Sequence, residues 1–108
     1  MLLPIEVAIL TEGLRRLSVG DPEFHGFALA VALGEGGLDR RLLGHGTLYK
    51  ALARLERGGL LESRWEEIDP VTVGRPRRRH YQVTGGAAGA IAASRALTTE
   101  AGSTVAWA

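Results

Sequence analysis

The sequence predicts a small α+β fold that is mainly helical and carries one β-hairpin. Apolar residues recur every three to four positions in several separate stretches, as they do along one face of a helix. Two short stretches, 61–67 and 79–83, instead alternate between apolar and polar residues, a pattern typical of strands. The length of 108 residues fits a single domain.

The first predicted helix covers 5–17, since Pro4 suits the first turn of a helix. Its apolar side chains form two stripes on different faces, one with Ile5 and Ile9 and the other with Leu10, Leu14 and Leu17. We expect one stripe to face the core and the other to face a second subunit.

A short second helix is predicted to begin near Glu23 or His25 and to end at the glycines of 34–37. Its apolar positions are the pairs Phe27 with Val31 and Leu29 with Leu33. The stretch 38–43 is ambiguous between a short turn and the end of a loop.

The third predicted helix covers 45–57 and is followed by two glycines, a strong C-terminal stop. Leu48, Leu52 and Leu55 recur at helical spacing and predict a buried stripe. Another face of the same helix is polar and basic. It carries Thr47, Lys50, Arg54 and Arg57.

The two alternating stretches predict a hairpin whose packing face carries Trp65, Tyr81 and Val83. Residues 69–76 would form its extended tip, and Thr84 would cap a last helix over 86–98. The order of three helices, a hairpin and a helix predicts a winged helix-turn-helix with an added C-terminal helix. We expect residues 1–84 to form the winged helix-turn-helix domain and residues 85–108 to form a C-terminal helix and tail.

The basic charge is concentrated in the third helix and the hairpin. Residues 40–79 carry ten basic and five acidic residues, whereas residues 1–39 carry two basic and six acidic ones. Four arginines lie close together in the hairpin, at positions 75, 77, 78 and 79. A basic helix followed by a basic hairpin is suited to gripping a nucleic-acid duplex twice, in a groove and on the flanking backbone.

Several function classes fit the sequence poorly. The chain has no cysteine, hence no disulfide framework and no thiolate chemistry. It contains no phosphate-binding loop and no serine in a nucleophile elbow, so we expect no enzymatic activity. The start of the chain is unlike a signal peptide, and its apolar runs are too short to cross a membrane. The expected compartment is the cytoplasm.

The chain resembles the PadR family of transcriptional regulators over about residues 4–94. The most specific part is Gly46-Thr47-Leu48-Tyr49, which is followed by Leu52, Leu55-Glu56, Gly59-Leu60, Arg75-Pro76-Arg77, Tyr81 and Val83-Thr84. His25-Gly26 also resembles the pair that opens the second helix of the family. Lys50 departs from the pattern, because many members have proline there.

The resemblance implies a homodimeric regulator, a repressor or an activator, that binds inverted-repeat operators on double-stranded DNA and is released in some members by a small effector. We expect a repressor that requires no cofactor. The expected DNA-binding residues are His45, Thr47, Tyr49, Lys50, Arg54, Arg75, Arg77 and Arg78. Dimerisation is expected through the first and last helices, at Ile5, Ile9, Leu14, Ile91 and Leu97.

Two other interpretations stay open at this point. The basic face could bind an acidic protein partner, which would make the chain an interaction module. Glu23 and His25 are weak candidates for a divalent-metal effector site, although a structural role for His25 is the simpler interpretation.

Overall fold

The computed structural model describes residues 2–96, apart from the side chain of His45. Its elements are α1 (Pro4–Ser18), α2 (Gly26–Glu35), a 3-10 turn (Arg40–Leu43), α3 (His45–Arg57), β1 (Leu61–Trp65), α4 (Pro70–Val73), β2 (Arg79–Val83) and α5, which is helical over 87–96. The fold is mostly helical with a two-stranded antiparallel hairpin, as predicted. Leu97, a predicted dimer residue, lies outside the described residues.

The core lies where α1 packs against α2, α3 and β2. Ile9, Leu29 and Leu52 are fully buried there. Helix α1 approaches the hairpin closely at Gly13, where an added Cβ would overlap Cγ1 of Val83. The predicted stripe of α3 is confirmed, because Leu48, Leu52 and Leu55 are all buried.

The hairpin is joined to the helices by a short backbone bridge. Phe24 and Tyr81 exchange both backbone hydrogen bonds, at 2.9 and 2.8 Å, and their rings stack with centroids 6.1 Å apart. Tyr81 and Val83 point inward as predicted. This bridge fixes the root of the hairpin beside the start of α2.

Three apolar side chains are exposed, one from the predicted packing face of the hairpin and two from the apolar positions of the second helix. Trp65 is 57% exposed, because it pairs with Arg79 at the far end of the hairpin, beyond the helical core. Phe27 and Val31 are 75% and 45% exposed. Helix α2 buries its Leu29 and Leu33 side instead.

Two local predictions were wrong. The predicted extended tip contains the short helix α4, whose first turn is capped by the carboxylate of Asp69 and begins with Pro70. The hydroxyl of Thr84 donates to the carbonyl of Gly59 at 2.7 Å and thereby ties β2 to the end of α3. Among the described residues this hydroxyl accepts no hydrogen bond from the start of the last helix, so the predicted side-chain cap is not observed.

In the part of the chain that is described, no helix is long and apolar enough to cross a membrane.

Candidate nucleic-acid interface

Helix α3 presents a polar, basic surface on the side opposite its buried leucines. Thr47, Lys50, Arg54 and Arg57 are all exposed. Among residues 2–96, neither Lys50 nor Arg57 forms an ion pair, so their charges are available to a ligand. His45 begins the helix as predicted, and its side chain lies outside the described parts of the structure.

Arg54 has an acidic partner inside the fold. Its Nε lies 3.2 Å from Oε2 of Glu6, a carboxylate on α1 that is fully buried, while the Arg54 side chain remains 55% exposed. Glu6 also accepts a hydrogen bond from the backbone N–H of Leu3 at 2.7 Å. Arg54 was predicted from its place on the basic face of α3, whereas Glu6 was not predicted.

Tyr49 lies at the start of α3 with its hydroxyl against Gly26, the first residue of α2. A Cβ added at Gly26 would overlap this hydroxyl and would lie 2.9 Å from Cζ of the ring. Tyr49 is 39% exposed. The ring therefore joins the starts of two helices, and only a residue without a side chain leaves it this space.

The hairpin arginines differ in how they are held. Arg75 binds both carboxylate oxygens of Glu66, at 2.6 and 3.0 Å, and Arg77 donates from Nε to the carbonyl of Ile68 at 2.9 Å. The side chain of Arg78 is exposed and forms no ion pair with the described residues. Arg75 stabilises the hairpin, while Arg77 and Arg78 carry charges that no acid within residues 2–96 balances.

Glu66 is the acidic anchor of the hairpin. Its hydrogen bonds from the Arg75 guanidinium, above all, and from the backbone N–H of Arg78 lower its pKa from 4.5 to about 2. The carboxylate is therefore charged at neutral pH, and it holds Arg75 with a charge-assisted pair of hydrogen bonds.

Arg79 turns toward α3 and fastens the hairpin to it. Its guanidinium lies 3.4 Å from the carboxylate of Glu56, donates to Ser63 at 2.9 Å and stacks 5.3 Å from the ring centre of Trp65. Ser63 in turn donates to Glu56 at 2.6 Å. This network sets the position of the hairpin relative to α3.

Helix α3 and the hairpin enclose one cleft together with the start of α2. The cleft has a volume of about 610 Å³, and its lining includes Phe27, Tyr49, Trp65 and Arg78. Helix α3 contributes Tyr49 to this lining and not its basic face with Lys50, so the cations that border the cleft come from the hairpin.

The weak metal candidates have other partners. Glu23 forms a two-pronged pair with Arg64, with both contacts at 2.6 Å. His25 caps α2, since its Nδ1 accepts from the backbone N–H of Ala28 at 3.3 Å. Burial, together with nearby Arg78 and His80, lowers the pKa of His25 and favours this neutral, accepting form. Residues 2–96 contain no group of three potential metal ligands.

Most of the predicted dimer residues belong to the core of the chain itself. Ile5, Ile9 and Ile91 are at most 5% exposed, and Leu14 is half-buried. Leu17, which was not among them but shares the apolar stripe of Leu14 on α1, is 51% exposed.

A family model described as "Transcriptional regulator PadR-like family" matches residues 14–93. Among solved structures, a PadR-like transcription factor from Bacteroides fragilis is 26% identical, with a TM-score of 0.64 over 94% of this chain and 85% of that chain. RosR of H. salinarum is 25% identical, with a TM-score of 0.56 over 92% and 76%. A PadR family regulator from Eggerthella lenta shares the fold at 24% identity, with a TM-score of 0.62 over 94% and 84%. No curated protein matches the sequence significantly.

Proposed function

Because this chain belongs to the PadR-like family of transcriptional regulators, we propose that it binds an inverted-repeat operator in duplex DNA as a homodimer and represses transcription. As a member of this family it is a transcription factor and not an enzyme. The observation that carries the proposal is the division of α3 into a buried leucine stripe and an exposed face with Thr47, Lys50 and Arg57. A helix of this kind fits the width of the major groove.

The hairpin is the second grip on the duplex in this proposal. Arg77 and Arg78 lie beside the same cleft as the start of α3 and carry charges without an acidic partner in residues 2–96. They would bind phosphates that flank the groove, and such contacts position a protein without reading sequence. Arg75 would contribute chiefly by keeping the hairpin rigid through Glu66.

The dimer belongs to the proposal on family grounds and on symmetry. Two copies of α3 related by a twofold axis would meet successive major grooves of an inverted repeat, about one helical turn apart. We propose that α1 and the C-terminal helix form the interface. On the two predicted apolar stripes of α1, Leu14 and Leu17 are the side chains that the chain's own core leaves at least partly uncovered.

We further propose that an effector, a small molecule or a divalent metal, releases the protein from DNA. A ligand that binds the folded state raises its melting temperature, by an amount that grows with the logarithm of its concentration once that exceeds Kd. Planar aromatic compounds and divalent metals would be titrated in thermal melts and then tested for DNA release. An effector must do both, whereas a compound that only shifts the melt is a bystander.

Fluorescence anisotropy tests the central proposal. The labelled duplex comes from upstream of the protein's own gene, a scrambled duplex serves as competitor, and binding is measured at two salt concentrations. We expect salt-sensitive binding that resists the scrambled competitor. Equal, weak binding to both duplexes would contradict sequence-specific regulation and would favour an acidic protein as the partner of the basic face.

A further inference from the structure

A buried acid lies directly behind the basic face of α3. Glu6 is 0% exposed, and one of its oxygens is fixed by the backbone N–H of Leu3. The other oxygen, Oε2, has no hydrogen-bond partner in the described residues and faces Nε of Arg54 at 3.2 Å. Burying a carboxylate is costly unless hydrogen bonds or a cation compensate it. The Leu3 N–H satisfies one oxygen of Glu6, and Arg54 is the cation that faces the other.

The ion pair of Glu6 with Arg54 joins α1 to α3. Glu6 belongs to the first turn of α1, and Arg54 to the last turn of α3. They line one groove of about 530 Å³ together with Thr47, Lys50 and Arg57. The buried carboxylate therefore lies directly beneath the surface that α3 presents.

The shape of a guanidinium makes this contact useful for recognition. The group is planar and carries five N–H donors in a fixed fork, so a carboxylate at Nε leaves terminal donors for a second partner. Two parallel donors match O6 and N7 of guanine in the major groove. An arginine that is already held from one side also loses less conformational freedom on binding.

We propose that Glu6 is a positioning residue for DNA recognition, which orients Arg54 so that its guanidinium reads one base pair, most suitably a guanine. This proposal rests on the proposed function, because it requires α3 to enter a groove. Glu6 does not touch DNA and acts only through Arg54. Without Glu6, Arg54 would keep its charge and its attraction to phosphate but would lose its fixed orientation.

The test compares base-pair preferences and not affinity alone. Wild-type protein first selects its tightest duplex from a random pool, and every base pair of that duplex is then substituted singly. Binding of each duplex is measured for wild type, Glu6→Gln, Arg54→Lys, the double variant and the control Glu12→Gln. Glu12 lies on the same helix and pairs with Arg15 and Arg16, so its substitution removes an equal charge elsewhere.

We expect Arg54→Lys and Glu6→Gln to relax preference at the same base pair, each by roughly tenfold, the scale of one good bidentate contact. The double variant should lose little more than either single variant, because both act on one contact. Glu6→Gln should bind a scrambled duplex as well as wild type or better, since it removes a negative charge. Glu12→Gln should keep the wild-type preferences.

A Glu6→Gln protein that keeps its preference at the Arg54 base pair, or weakens evenly at all positions, overturns the proposal. If Glu6→Gln does not fold, Glu6→Asp retains the charge and withdraws it by one methylene. A folded Glu6→Asp with wild-type preferences would likewise overturn it. Failure of the proposed function is visible separately, as a wild-type protein that selects no duplex at all.

Discussion

Removing the charge of Arg78 should weaken DNA binding and make the remaining binding less dependent on salt. Its side chain is exposed, forms no ion pair with residues 2–96 and lies at the cleft between α3 and the hairpin. Each phosphate contact contributes about 0.9 to the slope of log K against log salt. A dimer carries two copies, so Arg78→Ala should reduce the slope by about 1.8.

This change in slope predicts a measurable difference between two buffers. Raising salt from about 50 to about 200 mM should cost the variant roughly tenfold less affinity than it costs wild type. The assay is anisotropy on one duplex over a salt series. Arg15→Ala is the matched control, because it removes an arginine that Glu12 already neutralises on α1.

The result should be nearly the same on the selected and the scrambled duplex, since a phosphate contact is blind to sequence. An Arg78→Ala protein with the wild-type slope would refute the reasoning, because the exposed charge would then have no phosphate partner. A loss confined to the selected duplex would also refute it, since that pattern belongs to a base contact.

Three further outcomes follow from the packing and the titrating groups. Gly13→Ala should destabilise the fold by about 1–3 kcal/mol in chemical denaturation, because overlap with Val83 outweighs the helix propensity gained. Gly89→Ala is the control, since nothing lies within 4 Å of the added Cβ, and it should stabilise the fold. Equal effects of the two substitutions would contradict the close approach of α1 to Val83. Because the pKa of Glu66 is lowered from 4.5 to about 2, its ion pair with Arg75 stabilises the fold above pH 4.5 and loses this effect as pH falls toward about 2. An NMR titration should therefore place the pKa of the Glu66 carboxyl near about 2 and not at 4.5. The pKa of His25 is lowered in the folded protein, so its cap of α2 contributes its full stability above pH 6.5 and loses it as pH falls through the folded-state pKa. His25→Asn keeps a capping side chain that does not titrate, so it should remove this contribution to the pH dependence of the free energy of unfolding.

Helix α3 and strand β2 could be predicted with their bounds because local signals coincide there with tertiary ones. The leucine stripe of α3 is amphipathic, and its end is marked by Gly59, whose φ of 76° suits glycine. In β2 the alternation of Tyr81 and Val83 with polar neighbours matches a strand with one buried face. A pattern that distinguishes two faces identifies the buried one.

Helix α2 and the far end of the hairpin could not be resolved from the pattern. Residues 26–34 contain no polar side chain, so periodicity cannot tell the inward pair Leu29 and Leu33 from the outward pair Phe27 and Val31. Trp65 follows the alternation correctly, but its strand extends past the helices that would cover it. There Arg79 covers the ring instead, a partner 14 positions along the chain that no local pattern reveals.

The sequence predicts which basic residues the candidate site carries, but it does not predict which acids pair with them. Glu6 falls four residues before Leu10 and eight before Leu14, on an apolar stripe, and this position was the available sign that a carboxylate is buried. Which arginine meets it depends on how α1 crosses α3. That crossing is set by the whole core and is not written in either helix alone.

Counting basic residues overstates the charge that this protein can offer to DNA. Several arginines of 40–79 are neutralised within the fold, among them Arg64 by Glu23, Arg75 by Glu66 and Arg79 by Glu56. On α3 and the hairpin, the cations without an acidic partner in the described residues are Lys50, Arg57, Arg77 and Arg78. If all four bind phosphate, a dimer makes about eight such contacts and log K should fall with log salt at a slope of about −7. A much steeper slope would mean that the paired arginines exchange their acids for phosphates, and the hairpin would then have to rearrange on DNA.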